Sequence, residues 1–289
     1  MHSTHGMDGV TRLRGSLALT RPGNAIAAGA LTFIGAFVAG FPVGWEPFAA
    51  VAATILATGA GMGINDYIDR EIDAINQPTR PIPSGAITAR WALVQSSVLM
   101  AIAVGLALTL PVAAIAIAVI NLLALVTYTS FFKGLPGVGN AVVAFLGGST
   151  FLFGGAAVGG MRETVVLFLL AAFATLGREI IKDVEDVTGD LAEGLQTLPI
   201  VIGERTALHV ASACLLLAVL VSPVPYAVGM FGLPYLAVVA LAICVMLVGA
   251  LTSYRNPTRG QQLVKTGMYI AIVGFVIGRL WIDIPIAAL

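Results

Sequence analysis

Charge is scarce in this chain. Asp, Glu, Lys and Arg make up 10% of its 289 residues, where a soluble globular protein carries about a quarter. That shortage excludes an ordinary water-facing shell. The 58% hydrophobic content and the mean hydropathy of +0.96 place the chain in a membrane. An excess of either sign is also missing: the formal net charge is zero, so no global field attracts nucleic acid. Cysteine is almost absent. Cys214 and Cys244 both lie in apolar runs at a spacing that matches no metal motif, and read as small buried hydrophobes.

Long uncharged runs are what the chain has instead. No charged residue interrupts 22–45, 91–132, 134–161 or 206–254, and the second and fourth runs each hold two crossings at about 20 residues apiece. Prolines and glycines punctuate them, as at Pro111, Pro223, Pro225 and Gly134-Leu135-Pro136-Gly137. The pattern predicts an all-α membrane protein of nine transmembrane helices, near 23–42, 46–66, 90–109, 111–132, 138–160, 164–184, 206–223, 226–251 and 264–284. Arg12, Arg14 and Arg21 precede the first run as in a signal peptide, but the run is span-length and reads as a retained helix.

With nine crossings, the N-terminus and the loops after helices two, four, six and eight carry thirteen of the fifteen basic residues, leaving Arg162 and Arg279 to the other face. Positive charge marks the cytoplasmic side, so the N-terminus is expected there. Residues 1–289 then form one transmembrane domain, with a cytoplasmic tail at 1–21 and cap loops at 66–89 and 185–205. Glycines in Gly59-Ala60-Gly61-Met62-Gly63 and the pairs 147/148, 154/155 and 159/160 read as close helix packing, since no strand precedes the first as a nucleotide loop requires.

The few acids are not spread evenly. Eleven of fifteen fall within 66–73 and 179–204, both on the expected cytoplasmic side. In the first cluster Asn65, Asp69 and Asp73 stack on one helical face, with Asp66 about a quarter turn away. In the second, Asp183, Asp186 and Asp190 share a face if the segment is helical. Stacked like charges repel, so either both faces are simply solvated or a cation compensates them. Carboxylate and carboxamide oxygens suit Mg²⁺, and no His or Cys lies near enough to favour zinc. Because Mg²⁺ commonly bridges carboxylates to phosphate oxygens, the interleaved Arg80, Lys133, Arg178 and Lys182 gain a reading as anion ligands in a diphosphate clamp. Ordinary positive-inside anchoring is the alternative for each. A divalent-cation transporter is the reading from another class, although such sites usually lie near the bilayer midplane on broken helices.

The two motifs carry a family resemblance. Asn65-Asp66-Tyr67-Ile68-Asp69-Arg70-Glu71-Ile72-Asp73 matches N-D-x-x-D-x-x-x-D, and Asp183-Val184-Glu185-Asp186-Val187-Thr188-Gly189-Asp190 matches the companion D-x-x-D-x-x-x-D pattern. The chain thus resembles the UbiA-type intramembrane prenyltransferases along its whole length. The resemblance implies a central, lipid-open cavity capped by the cytoplasmic loops, with Mg²⁺ as cofactor and an isoprenyl diphosphate as substrate. It implies that Asn65, Asp69, Asp73, Asp183, Asp186 and Asp190 hold the metal. Tyr128 and Lys133 look like the diphosphate-side tyrosine and lysine of the family, and Asn24 like the polar position that opens helix one. Asp66 would position a ligand, bind through water or take the acceptor's proton, beside Arg80, Tyr128 and Lys133 as catalytic groups.

The run Arg80-Pro81-Ile82-Pro83-Ser84-Gly85 and Lys182-Asp183-Val184-Glu185-Asp186 look most like the branch that adds a second geranylgeranyl chain in archaeal ether-lipid synthesis. That branch implies geranylgeranyl transfer from its diphosphate to geranylgeranylglyceryl phosphate, a lipid-phosphate acceptor, at the plasma membrane. Arg178 or the basic residues at 255–265 would hold the acceptor's phosphate. Transfer to an aromatic acceptor of the quinone, chlorophyll or haem type would use the same acids. Arg255, Arg259 and Lys265 lean towards the phosphate.

Overall fold

The computed structural model describes residues 9–40, 44–128, 132, 135–192 and 194–282. Every regular element among them is helical: α1 (Gly9–Leu19), α2 (Pro22–Val38), α3 (Glu46–Ile68), α4 (Arg70–Asn76), α5 (Ala89–Ala107), α6 (Val112–Thr127), α7 (Val138–Ala157), α8 (Met161–Ala192), α9 (Leu198–Ile202), α10 (Glu204–Val221), α11 (Val224–Ala227), α12 (Pro234–Ser253) and α13 (Pro257–Ile282). Proline sits in the first turn of α2, α3, α9, α11 and α12, where a missing N–H costs no intrahelical bond.

Seven helices are long and apolar enough to cross a membrane, and the shorter apolar α2 and α6 occupy the places of the first and fourth expected crossings. Around the bundle α2 packs on α3 and α7, α3 on α5, α7 on α6 and α8, α8 on α10 and α13, and α12 on α13, which returns to α2. Close approach explains much of the glycine. A Cβ at Gly154 of α7 would strike the carbonyl oxygen of Thr32 on α2, and one at Gly148 would lie 2.8 Å from the carbonyl oxygen of Phe168 on α8. In lipid, where apolar burial between helices gains little, such backbone contact supplies the packing.

Helix bounds differ from the expected ones in four places. The tail at 1–21 is a helix from Gly9 onward, with Gly15 and Leu19 buried against Ile87 and Ala86 of the chain before α5; residues 1–8 lie outside the described residues. The sixth crossing does not stop at 184. α8 runs for 32 residues, about 48 Å at 1.5 Å per residue, far more than a hydrocarbon core of about 30 Å needs. The first part of the expected 185–205 cap is therefore its emergent end. The 66–89 cap likewise begins with the last turn of α3 and the whole of α4. Finally, α13 starts at Pro257 rather than near 264, which puts Arg259 and Gln261 on a helix.

Candidate active site

Helical hydrogen bonding runs through the first motif despite the bend at Asp69. The amide of Asp69 donates to the Asn65 carbonyl at 2.9 Å, that of Asp73 to Asp69 at 2.8 Å, and that of Gln77 to Asp73 at 2.8 Å. Asn65, Asp69 and Asp73 therefore stay stacked from α3 into α4, as their spacing predicts.

Asp66 and Asp73 are the buried members, at 2% and 5% exposure. Each buried carboxylate has a guanidinium. Arg21 Nη2 lies 2.5 Å from Asp66 Oδ1, and Arg80 Nη1 lies 2.5 Å from Asp73 Oδ2 and 3.6 Å from Asp66 Oδ1. Burying a lone carboxylate is expensive and pairing offsets the cost, so this side of the site is held together by two arginines. Arg80 is thus engaged with its own motif. Asp66, expected among the catalytic groups, has its carboxylate turned to Arg21 and Arg80.

Arg21 joins α1 to α2 in a left-handed conformation, φ 43° and ψ 66°, and is the only non-glycine residue with positive φ among those described. That conformation costs a non-glycine residue about 1–2 kcal/mol, and here it accompanies the contact with Asp66. Arg21 also lies 3.2 Å from the Met62 sulfur. Local sequence marks Arg21 only as one of the basic residues ahead of the first apolar run, because its partner is 45 residues away.

The second motif lies on α8, and helical spacing puts Asp183, Asp186 and Asp190 on one face. Their partners are neutral. Asn140 Nδ2, in the first turn of α7, donates to Asp183 Oδ2 at 2.8 Å, and Thr197 Oγ1 donates to Asp190 Oδ2 at 3.0 Å. Among the described residues no basic side chain forms an ion pair with any of the three. Asn140 is one of the few polar residues in the 134–161 run, and that isolation is the only mark the sequence gives of it.

Tyr128 sits just past the end of α6. It is half-buried there. Lys133, expected beside it, lies outside the described residues. Of the remaining candidates, Lys182 is exposed on α8 and Asn24 is exposed in the first turn of α2. Arg178 donates to Glu179 Oε1 at 2.6 Å and to Gln261 Oε1 of α13 at 3.0 Å.

The donor set suits a hard divalent cation: oxygen ligands alone, with three carboxylates of the second motif that form no ion pair among the described residues. Among the described residues no three His, Cys, Asp or Glu side chains form a ready-made cage. Deeper in the bundle lies an apolar cavity of about 100 Å³, lined by residues including Leu170, Thr175, Tyr235, Met268 and Phe275. Thr175 precedes Asp183 by eight residues of α8, about 12 Å of helix.

Comparison with known proteins follows the same lines. Residues 27–273 match the model of the UbiA prenyltransferase family. The chain is 62% identical over 271 residues to a digeranylgeranylglyceryl phosphate synthase of Natronomonas pharaonis, covering 93% of this chain and 98% of the relative. A protein of the same name from Halobacterium salinarum is 55% identical, with 92% and 98% covered. A solved digeranylgeranylglyceryl phosphate synthase structure superposes with a TM-score of 0.82 at 33% identity, covering 93% of this chain and 99% of the other. A UbiA homologue from Archaeoglobus fulgidus bound to GPP and Mg²⁺ shares the fold at a TM-score of 0.72 and 18% identity, with 93% and 100% covered.

Proposed function

The chain belongs to the UbiA prenyltransferase family, and from that premise we propose that it transfers the geranylgeranyl group of geranylgeranyl diphosphate to a glycerol hydroxyl of geranylgeranylglyceryl phosphate, releasing diphosphate. The observation that carries this reading is the pair of Asp-rich helical motifs, Asn65 to Asp73 and Asp183 to Asp190, in a chain 62% identical to a digeranylgeranylglyceryl phosphate synthase.

Asn65, Asp69 and Asp73 on one side and Asp183, Asp186 and Asp190 on the other are assigned to hold Mg²⁺, whose chemistry when bound is Lewis-acid stabilisation of the departing diphosphate. Asn140 and Thr197 keep the carboxylates of Asp183 and Asp190 in place. We assign Asp66 to anchoring, since two arginines already occupy its carboxylate; proton removal from the acceptor falls to another group. Arg80 fixes Asp73 and adds positive charge beside the diphosphate, with Lys133 and Lys182. The Tyr128 hydroxyl donates a hydrogen bond to a diphosphate oxygen. These fixed dipoles and charges stabilise the negative charge that grows on the leaving group as the allylic C–O bond breaks.

The prenyl chain runs from the acids towards the apolar cavity, where exclusion of water protects the allylic cation. Asn24 belongs to the substrate-binding set at the start of α2. Arg178, fixed by Gln261, together with Arg255, Arg259 and Lys265, is assigned to the acceptor's phosphate. In this reading α2 and α6 complete nine crossings around a lipid-open cavity, the N-terminus is cytoplasmic, and the active site faces the cytoplasm from the cell membrane.

The test is direct. Purified protein is given geranylgeranyl diphosphate and Mg²⁺, with geranylgeranylglyceryl phosphate and 4-hydroxybenzoate in parallel, and products are identified by mass. The expected result is product from the glycerol acceptor alone. Product from the phenol alone retains the clamp and overturns the acceptor, and no product from either overturns the reading.

A further inference from the structure

α1 is short, yet it carries two apolar faces. One, Gly15 and Leu19, is buried against the chain that leads into α5. The other is the exposed stripe Val10, Leu13 and Leu17, spaced three and four residues apart, with Leu13 63% exposed. Exposed leucine at helical spacing on a surface helix needs an apolar cover.

The neighbouring helix shows what the cover is. Exposed Trp91, Val94, Val98 and Ile102 lie at positions i, i+3, i+7 and i+11 of α5 and form one stripe along a membrane-spanning helix, which is a lipid-facing surface. Trp91 stands at the head of this stripe and donates from Nε1 to Ser16 Oγ of α1 at 2.9 Å, while Gln95 donates to the Ser16 carbonyl at 2.9 Å. α1 is thus bonded to the end of a lipid-facing stripe, on the side of the membrane that carries the Asp motifs. An indole at that level suits the interface between headgroups and acyl chains.

Between α1 and the start of α5 lies a groove of about 370 Å³ lined by Arg12, Leu13, Ser16, Ile87, Thr88 and Trp91. Its chemistry is mixed: one guanidinium, two hydroxyls and an apolar wall. Arg12 has no ion-pair partner among the described residues. The active site does not use it.

We propose that α1 lies in the headgroup layer of the bilayer and that the groove beside it binds the phosphate headgroup of an anionic phospholipid, with Arg12 on the phosphate, Ser16 and Thr88 hydrogen-bonding its oxygens, and Leu13 and Trp91 against the acyl chains. The inference rests on the membrane-spanning bundle and not on the acceptor's identity. Because α1 leads through Thr20 directly into Arg21, which holds Asp66, the bound lipid steadies the segment that enters the first motif.

The test uses the full chain carrying W45F and W281F, which leaves Trp91 as its one tryptophan. The protein is reconstituted in mixed phosphatidylglycerol and phosphatidylcholine vesicles, with one lipid or the other brominated in its acyl chains, and quenching of Trp91 is measured. One basic side chain at a membrane surface is worth about fivefold in preference for an anionic lipid. Brominated phosphatidylglycerol should therefore quench several-fold more effectively than brominated phosphatidylcholine. R12Q should abolish that difference, and R14Q, on the other side of α1, should leave most of it. Equal quenching by both lipids in the parent, or a preference that survives R12Q, overturns the headgroup site. A preference erased by inorganic phosphate identifies a soluble-anion site instead, and quenching by neither lipid overturns the membrane seat of α1.

Discussion

The two acid motifs match in spacing and differ in company. In the first, Asp66 and Asp73 are buried and each meets a guanidinium, from Arg21 and Arg80. In the second, Asp183 and Asp190 receive hydrogen bonds from neutral Asn140 and Thr197, and no cation of the described residues pairs with them or with Asp186. The first is neutralised from within and keeps its shape without a ligand. The second keeps stacked negative charge that Lys182 offsets through space without an ion pair, which leaves room for a metal-bound anion. Both halves are assigned to the metal, but the first is braced by its own arginines and the second is the more dependent on what binds there.

The largest effect that separates them should come from the second motif. D186N or D190A is expected to lower prenyl transfer by at least about 10²–10³-fold, the range for removing one preorganised stabiliser of transition-state charge. Circular dichroism in detergent should show an unchanged helical content, because no buried ion pair is lost. Next comes R80A, which strands the buried Asp73 carboxylate and weakens the hold on Asp66. Breaking such a pair from one side costs about 3–5 kcal/mol, so the midpoint of thermal unfolding should fall. A second change, D73N, should recover part of that loss in a double-mutant cycle. If D186N unfolds the protein while R80A leaves its stability untouched, this contrast between the motifs is reversed.

A smaller difference should appear in ligand linkage. Mg²⁺ with diphosphate should raise the unfolding midpoint of the parent and of R21Q, since a ligand that binds only the folded state stabilises it; in D183N the rise should be mostly lost. The smallest effect is expected from N140A, which removes one hydrogen bond to Asp183. About 0.5–1.5 kcal/mol corresponds to a rise of roughly two- to tenfold in the Mg²⁺ concentration for half-maximal rate, with turnover at saturation little changed.

Sequence periodicity was enough to locate the apolar helices and both motifs, because uncharged runs and three- and four-residue spacings are local properties. The stacking of Asn65, Asp69 and Asp73 survives a bend for the same reason, since the i to i+4 bonds run through it. What the pattern could not reveal depends on contacts across long stretches of chain. Nothing near Arg21 announces that it reaches Asp66, and nothing near Asn140 announces Asp183, 43 residues on. α1 was read as a tail because two glycines and two arginines within 11 residues mask its helical signal, and packing of Gly15 and Leu19 outweighs that composition. The far end of α8 was read as loop because charges from Arg178 onward end the apolar run. A helix leaving the membrane keeps its backbone bonds without needing apolar side chains.

The most direct test of the division between the motifs is binding of the non-ionising thiolo analogue of geranylgeranyl diphosphate to the purified protein, with and without Mg²⁺, in the parent, in D183N/D186N and in R21Q. The account predicts that Mg²⁺ tightens binding at least tenfold in the parent and in R21Q, and has no such effect in D183N/D186N. Equal tightening by Mg²⁺ in D183N/D186N would show that the second motif is not the receptor for the metal-bound diphosphate, and would contradict the account.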